Sequence, residues 1–192
     1  MKANLILQTA VSHFAKEGYA GASLSKIAEE VGIKKPSIYA HYKGKDDLFI
    51  SALHYSLDTQ KAQIASYFYS MKNEPLEPLL YGYFEWFAKE SEDNERMKFI
   101  LRAAYFPPLK LEKEVGKLFN PFFDSLHLHL TRLLRERHRH EKVLYSEDFS
   151  AIALAYLTMT EGTMTELVYT DVERYNKRLH AVWPIFWRGL TK

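Results

Sequence analysis

Apolar residues recur along most of this chain at intervals of three and four, the spacing that keeps them on one side of an α-helix. Ile6, Ala10 and Phe14 stand at i, i+4 and i+8 with Leu7 and Val11 beside them, and Gly18 follows Lys16 and Glu17 as a left-handed stop. A short second helix is expected over 24–31: Leu24, Ile27, Ala28 and Val31 form its apolar face, Ser23 can cap it and Gly32 ends it. After Gly32-Ile33-Lys34 a third helix opens at Lys35-Pro36, because proline is tolerated in a first turn. No alternating run predicts a strand, and no repeat or low-complexity segment interrupts the helical pattern.

Beyond residue 45 the helices lengthen. Phe49, Leu53, Leu57, Ile64, Phe68 and Met71 predict a helix over 46–71, about 39 Å at 1.5 Å per residue, broken by Asn73-Glu74-Pro75. Further helices are expected over 76–89 and 92–105, and one or two more over 112–139, with a bend at Asn120-Pro121. Two closing helices follow. Ala151, Ala155, Thr158, Gly162 and Thr165 make a seam of small side chains on the first. Leu179, Trp183, Phe186, Trp187 and Leu190 make a bulky stripe on the second, past a kink at Pro184. Two such helices from each of two subunits would build a four-helix bundle, with packing inside one chain as the alternative.

Composition narrows the chemistry. With 192 residues and 47% hydrophobic content the chain can bury a core, and zero cysteines excludes disulfide scaffolds, thiolate metal sites and thiol nucleophiles. The longest stretch free of Asp, Glu, Lys and Arg is the 13 residues Ala3–Ala15, too short to span a membrane, and it is read as mature structure rather than a secretory leader. The net charge of +2 lies entirely in residues 1–50, where seven lysines meet five acids. Four of those lysines fall within 34–45, which suggests a polyanion-binding end. Aromatic residues divide the other way, with 5 of 28 in residues 1–50.

Three short helices, the last two joined by a tight Gly-containing turn, outline a helix-turn-helix whose final helix would offer its first residues to a major groove. Ile38 would face the core. Ser37 and Ala40 are the candidates for base contact; Ser23, Ser25, Lys34, Lys35, Pro36, Tyr39, His41 and Tyr42 complete the candidate DNA surface.

Residues 6–49 resemble the DNA-binding domain of the TetR/AcrR family of bacterial transcriptional regulators, over about a quarter of the chain. The resemblance runs through Ile6 to Phe14, Gly18-Tyr19, Ile27-Ala28, Val31-Gly32-Ile33, Pro36-Ser37-Ile38-Tyr39-Ala40-His41-Tyr42-Lys43 and Lys45-Asp46-Asp47-Leu48-Phe49. It implies an all-α protein with a DNA-binding domain over residues 1–47 and an effector-binding, dimerising helical domain over 48–192. It also implies a dimeric repressor that binds a pseudo-palindromic operator in the cytoplasm, responds to a hydrophobic small molecule and grips phosphate through Lys45. The chain departs from the family where Lys34 replaces the frequent Ser or Thr cap of the third helix.

The aromatic-rich remainder would hold an apolar pocket with a few polar groups. Its candidate lining is Phe68, Phe84, Phe87, Phe99, Arg102, Tyr105, Phe119, Phe123 and Tyr156, with Arg102 suited to an anionic head and Glu85 or Glu161 to a cationic one. The alternative is a helix-turn-helix protein governed by a protein partner or acting without an effector. An enzyme is not expected: His127-x-His129 and His138-x-His140 point about 200° apart on a helix and cannot share a metal. HExxH, P-loop, GxGxxG and GxSxG motifs are absent. No cofactor and no metal are expected.

Overall fold

In the computed structural model, residues 2–92 and 94–191 are described, the side chains of residues 2, 168 and 169 excepted. The helices are α1 (Lys2–Gly21), α2 (Leu24–Val31), α3 (Lys35–Tyr39), α4 (Lys45–Ser70), α5 (Leu76–Glu92), α6 (Glu95–Tyr105), α7 (Glu112–Glu141), α8 (Phe149–Tyr169) and α9 (Val172–Leu190), with a 3₁₀ turn at Leu109–Leu111. Among the described residues the only β pairing is an isolated bridge between Leu144 and Thr191. The all-α class follows from the spacing, and two details depart from it.

Gly18 does break the helical backbone, at φ 70° and ψ 178°, yet the chain resumes its turns to Gly21. Only glycine reaches that region without strain, and a Cβ there would stand 3.3 Å from the Arg102 guanidinium. α6 starts later than expected because Asn94 caps it, its Oδ1 accepting from the Arg96 and Met97 amides; Asp93 lies outside the described residues. α7 and α9 each carry their proline, Pro121 and Pro184, inside a continuous helix.

The helices gather into two compact units, residues 1–63 with 93–121 and residues 64–92 with 122–192. In the first unit Phe14 packs edge-on against Phe49 at 5.0 Å and stacks on Phe99 at 5.7 Å, so α1, α4 and α6 share one core. Polar contacts reinforce this. Arg102 donates from Nη1 to the Ala15 and Lys16 carbonyls at 3.0 and 3.3 Å, satisfying acceptors at the break in α1. Lys16 meets Glu95 at 2.6 Å.

The second unit is organised about α5. Tyr67, Tyr156 and Tyr175 are buried and donate their hydroxyls to the carbonyls of Leu79, Leu80 and Phe84 at 2.9, 2.8 and 2.9 Å. A buried phenol without an acceptor would be costly, so each bond fixes where its helix can dock on α5. The start of α5 is held by the end of α7: Glu141 accepts from the Leu76 amide at 3.0 Å, and Arg137 donates to the Glu74 carbonyl.

Burial pushes the Tyr67 phenol up from 10.0 to about 12, helped by Glu85, and raises Tyr83, Tyr156 and Tyr175 as well. A raised phenol stabilises the folded state fully below pH 10 and loses that contribution as pH rises through its folded value. Alkaline spectrophotometric titration is therefore expected to show Tyr67 ionising near pH 12 and Tyr83, Tyr156 and Tyr175 ionising well after an exposed phenol, together with loss of helical circular dichroism.

Candidate nucleic-acid interface

α2 and α3 are set by their ends. Ser23 is extended, and its Oγ accepts from the Ser25 amide at 3.3 Å, capping α2. At the other end Gly32 turns left-handed at φ 72°, and the Gly32 and Ile33 amides return to Glu29 and Ala28 carbonyls at 3.0 and 2.9 Å. That double closure reverses the chain within two residues. Lys34 stands extended at the start of α3 without a side-chain cap; its carbonyl accepts from the Ser37 amide at 2.8 Å. Ile38 is fully buried and anchors a five-residue helix that could not persist alone.

Burying Ile38 turns the rest of α3 outward. Lys34, Lys35, Pro36, Ser37, Ala40 and His41 are exposed, and Tyr39 is 51% exposed. Ser25 is exposed on α2, while Ser23 is half-buried by its capping role. The face thus presents two ammonium groups, hydroxyls, an imidazole and a methyl group. Such a set can donate to phosphates and base edges and meet a thymine methyl.

Two residues of the expected surface are engaged elsewhere. Tyr42 is 8% exposed, and its hydroxyl donates to the Ala3 carbonyl at 3.3 Å, so it ties α1 to the end of α3 rather than standing free for phosphate. Lys45 is half-buried at the start of α4, donates to the Ala20 carbonyl at 3.1 Å and lies 4.7 Å from the centre of the Tyr19 ring. Burial lowers its ammonium, and Lys110 adds to this. Next to it Asp46 accepts from Lys110 at 2.7 Å and from the Tyr19 hydroxyl. These bonds hold the Asp46 carboxyl below the usual range. Lys110 follows α6 in sequence, so the start of α4, the end of α1 and the 3₁₀ turn meet at one carboxylate. Spacing gave no sign of Lys110, although Tyr19 and Asp46 both lay within the residues already singled out.

The nine residues expected to line a pocket do not share one unit. Phe99, Arg102, Tyr105 and Phe119 belong to the first, and Phe68, Phe84, Phe87, Phe123 and Tyr156 to the second. Phe99 is core against Phe14, and Arg102 is spent on the α1 carbonyls, which corrects its reading as an anion receptor. Phe84, Phe87 and Tyr156 are buried together, with Phe84 and Tyr156 at 5.3 Å and Phe68 half-buried beside Tyr83. Tyr105 and Phe123 are exposed and Phe119 is buried.

The seam on α8 is open: Ala151, Ala155, Thr158 and Gly162 are exposed and Thr165 is half-buried. With Ala181 and Val182 of α9, three of them border a groove of about 700 Å³. The bulky stripe turns inward instead. Leu179 and Trp183 are buried, Trp183 against Tyr81 and Phe84 of α5 at 5.3 and 6.0 Å, while Phe186 and Trp187 are half-buried. Leu179 and Trp183 therefore serve the core of their own unit.

Comparison with known proteins places these features in context. Residues 6–52 match the signature described as "Bacterial regulatory proteins, tetR family". The uncharacterised HTH-type transcriptional regulator YerO of Bacillus subtilis (strain 168) is 41% identical over 54 residues, 28% of this chain and 19% of that protein. The chain thus spans about a fifth of that relative's length. The nucleoid occlusion factor SlmA of Sodalis glossinidius (strain morsitans) is 23% identical over 180 residues, 89% of this chain and 85% of its own. The crystal structure of the transcriptional regulator FadR from Bacillus subtilis in complex with stearoyl-CoA superposes with a TM-score of 0.65 at 18% identity, over 93% of this chain and 96% of that one. A likeness at that identity is one of fold. Its helical architecture is the one seen in this chain.

The turn between α2 and α3 gives a direct test of the local geometry. Gly32→Ala forces a side chain into the left-handed region, although nothing lies within 4 Å of the new Cβ. The expected loss is about 1–2 kcal/mol of stability, read as a lower urea midpoint with an unchanged m-value.

Proposed function

We propose that this chain, which belongs to the TetR family of bacterial regulatory proteins, is a ligand-responsive repressor that binds a pseudo-palindromic operator as a homodimer. A hydrophobic small molecule releases it. The observation that carries the DNA-binding half is the outward face of α3, where Lys34, Lys35, Ser37, Tyr39, Ala40 and His41 stand exposed around a buried Ile38. Residues 1–47 are the reading head and residues 48–192 the effector-binding and dimerising part, working on DNA in the cytoplasm.

In this reading Lys34, Lys35, Tyr39 and His41 hold phosphates, and Lys45 joins them by leaving the Ala20 carbonyl. Ser37 and Ala40 read bases. Dimerisation uses the open seam of α8 with the exposed face of α9, including Leu154 and Ile185 at 51% and 68% exposure. Two recognition helices about 34–36 Å apart then read two half-sites.

Release is a shift between two states, and the effector must bind the DNA-incompetent state more tightly, since equal affinity shifts nothing. The route on offer lies within the first unit. α6 is fastened to α1 through Arg102, Glu95 and Phe99, and Lys110 fastens the following turn to the start of α4. A shift of α6 therefore drags the head with it. The FadR structure, solved with stearoyl-CoA, supports an effector with an apolar body. The likeness to SlmA over most of the chain favours a second reading, a DNA-binding protein that works without a small molecule.

Calorimetry with and without operator separates the two readings. Coupling is reciprocal, so saturating operator DNA must weaken effector binding by the factor by which effector weakens operator binding. Equal effector affinity in both conditions rules out induction.

Within the head, Lys35→Ala is expected to weaken binding to all duplexes and reduce the salt slope by about 0.9. Ser37→Ala should leave that slope alone and change discrimination at one base pair by about 1–3 kcal/mol. Fluorescence anisotropy across salt concentrations and operator variants reads both.

Gly162→Arg tests the dimer, because nothing in the chain lies within 4 Å of a Cβ at Gly162. Analytical ultracentrifugation should show a folded monomer, with operator affinity down about tenfold or more.

A further inference from the structure

We infer that Gln60 and Arg96 form the polar anchor of the effector site, and that the effector carries a carboxylate-type oxyanion on an apolar body. The inference rests on the ligand-responsive reading above. Gln60, on α4, is 2% exposed, and neither its Nε2 nor its Oε1 has a hydrogen-bond partner. Exchanging the amide oxygen and nitrogen changes nothing, because both are unsatisfied. Arg96, in the first turn of α6, donates from Nη2 to Gln63 Oε1, while its Nε is buried without a partner. No carboxylate among the described residues forms an ion pair with it.

These groups converge. Gln60 and Gln63 are i, i+3 neighbours on α4, with Cβ atoms about 5–6 Å apart. A guanidinium held on Gln63 therefore lies beside the Gln60 amide. Gln60 on α4 and Arg96 on α6 thus contribute three buried polar atoms without partners, one of them on an unpaired cation, on two helices whose Leu53, Leu57, Phe99 and Ile100 are also buried. Native interiors satisfy such groups, and packing alone would place leucine or methionine at position 60.

An oxyanion completes the set. It accepts from Arg96 Nε–H and Gln60 Nε2–H, the first a charge-assisted bond. Gln60 Oε1 is left for a hydroxyl or amide N–H on the same ligand. The anchor also touches the signalling route: the residue before Arg96 is Glu95, whose carboxylate holds Lys16 of α1 at 2.6 Å. Binding at Arg96 thus acts on the first turn of α6, the turn that Glu95 ties to α1.

The test uses the full chain with sodium decanoate, 1-decanol and decylamine, followed by calorimetry, thermal unfolding and operator anisotropy. Decanoate is expected to bind about tenfold or more tightly than either analogue. Gln60→Leu and Arg96→Met should each weaken decanoate by about tenfold and 1-decanol by less. Gln60→Leu should also raise the Tm of the free protein by about 3 °C, because it removes an unpaired buried amide. Arg96→Lys, which keeps the charge, serves if the methionine variant fails to fold and should retain part of the decanoate affinity.

Failure of decanoate to bind, equal binding of decanoate and decanol, or a lower Tm in Gln60→Leu with decanoate affinity unchanged overturns the anchor. In the last case ordered water satisfies the amide. If decanol or decylamine releases the operator while decanoate does not, the anchor falls and the effector reading stands. If none of the three alters operator affinity, both fall.

Discussion

The contact on which the reading head depends is the Phe14 ring, edge-on to Phe49 and stacked on Phe99. α1 with the short α2 and α3 encloses too little apolar volume to stand alone. Phe14 enlarges that core by drawing in α4 and α6, and α2 and α3 then close over Ile27 and Ile38, both buried. The five residues of α3 are helical because Ile38 is seated and the Gly32 turn aims them, not because of intrinsic propensity. The exposed lysines and Ser37 inherit their orientation from that seat.

The same contact makes α6 part of the unit that bears the head. Its polar ties then have a mechanical meaning: Arg102 closes the carbonyls left open where Gly18 breaks α1, and Glu95 and Lys110 hold α1 and α4 at two further points. The second unit is built on a different principle. There phenol hydroxyls reach the carbonyls of α5, so each docking helix is located by a directional bond as well as by area. Directional bonds of this kind favour one packing over its near alternatives.

Much of the head was legible in the residues. The limits of α2, its Ser23 cap, the Gly32 turn, the inward Ile38 and the outward Lys34, Lys35 and Ser37 all follow from spacing and end residues, because they are local properties of one or two turns. The open seam of small side chains on α8 was legible for the same reason. Tyr42 was not: its hydroxyl bonds a carbonyl 39 residues away, and nothing in its own turn announces that.

What lay beyond reach was always a matter of which element covers which. Periodicity reports that Phe99, Leu179 and Trp183 sit on apolar faces; it cannot say that Phe99 belongs with Phe14, or that Trp183 covers Phe84 in its own unit. Arg102 read equally well as a ligand receptor, and only the break at Gly18 gave it backbone acceptors. Nothing in its own turn marks Gln60 out on a long helix; its burial comes from tertiary packing. The amino-acid sequence by itself determined where helices begin and end and which side of each is apolar, since those depend on neighbours within four residues. The partners of those faces, and which polar groups were left without any, were decided by tertiary packing, where contacts join residues far apart in the chain.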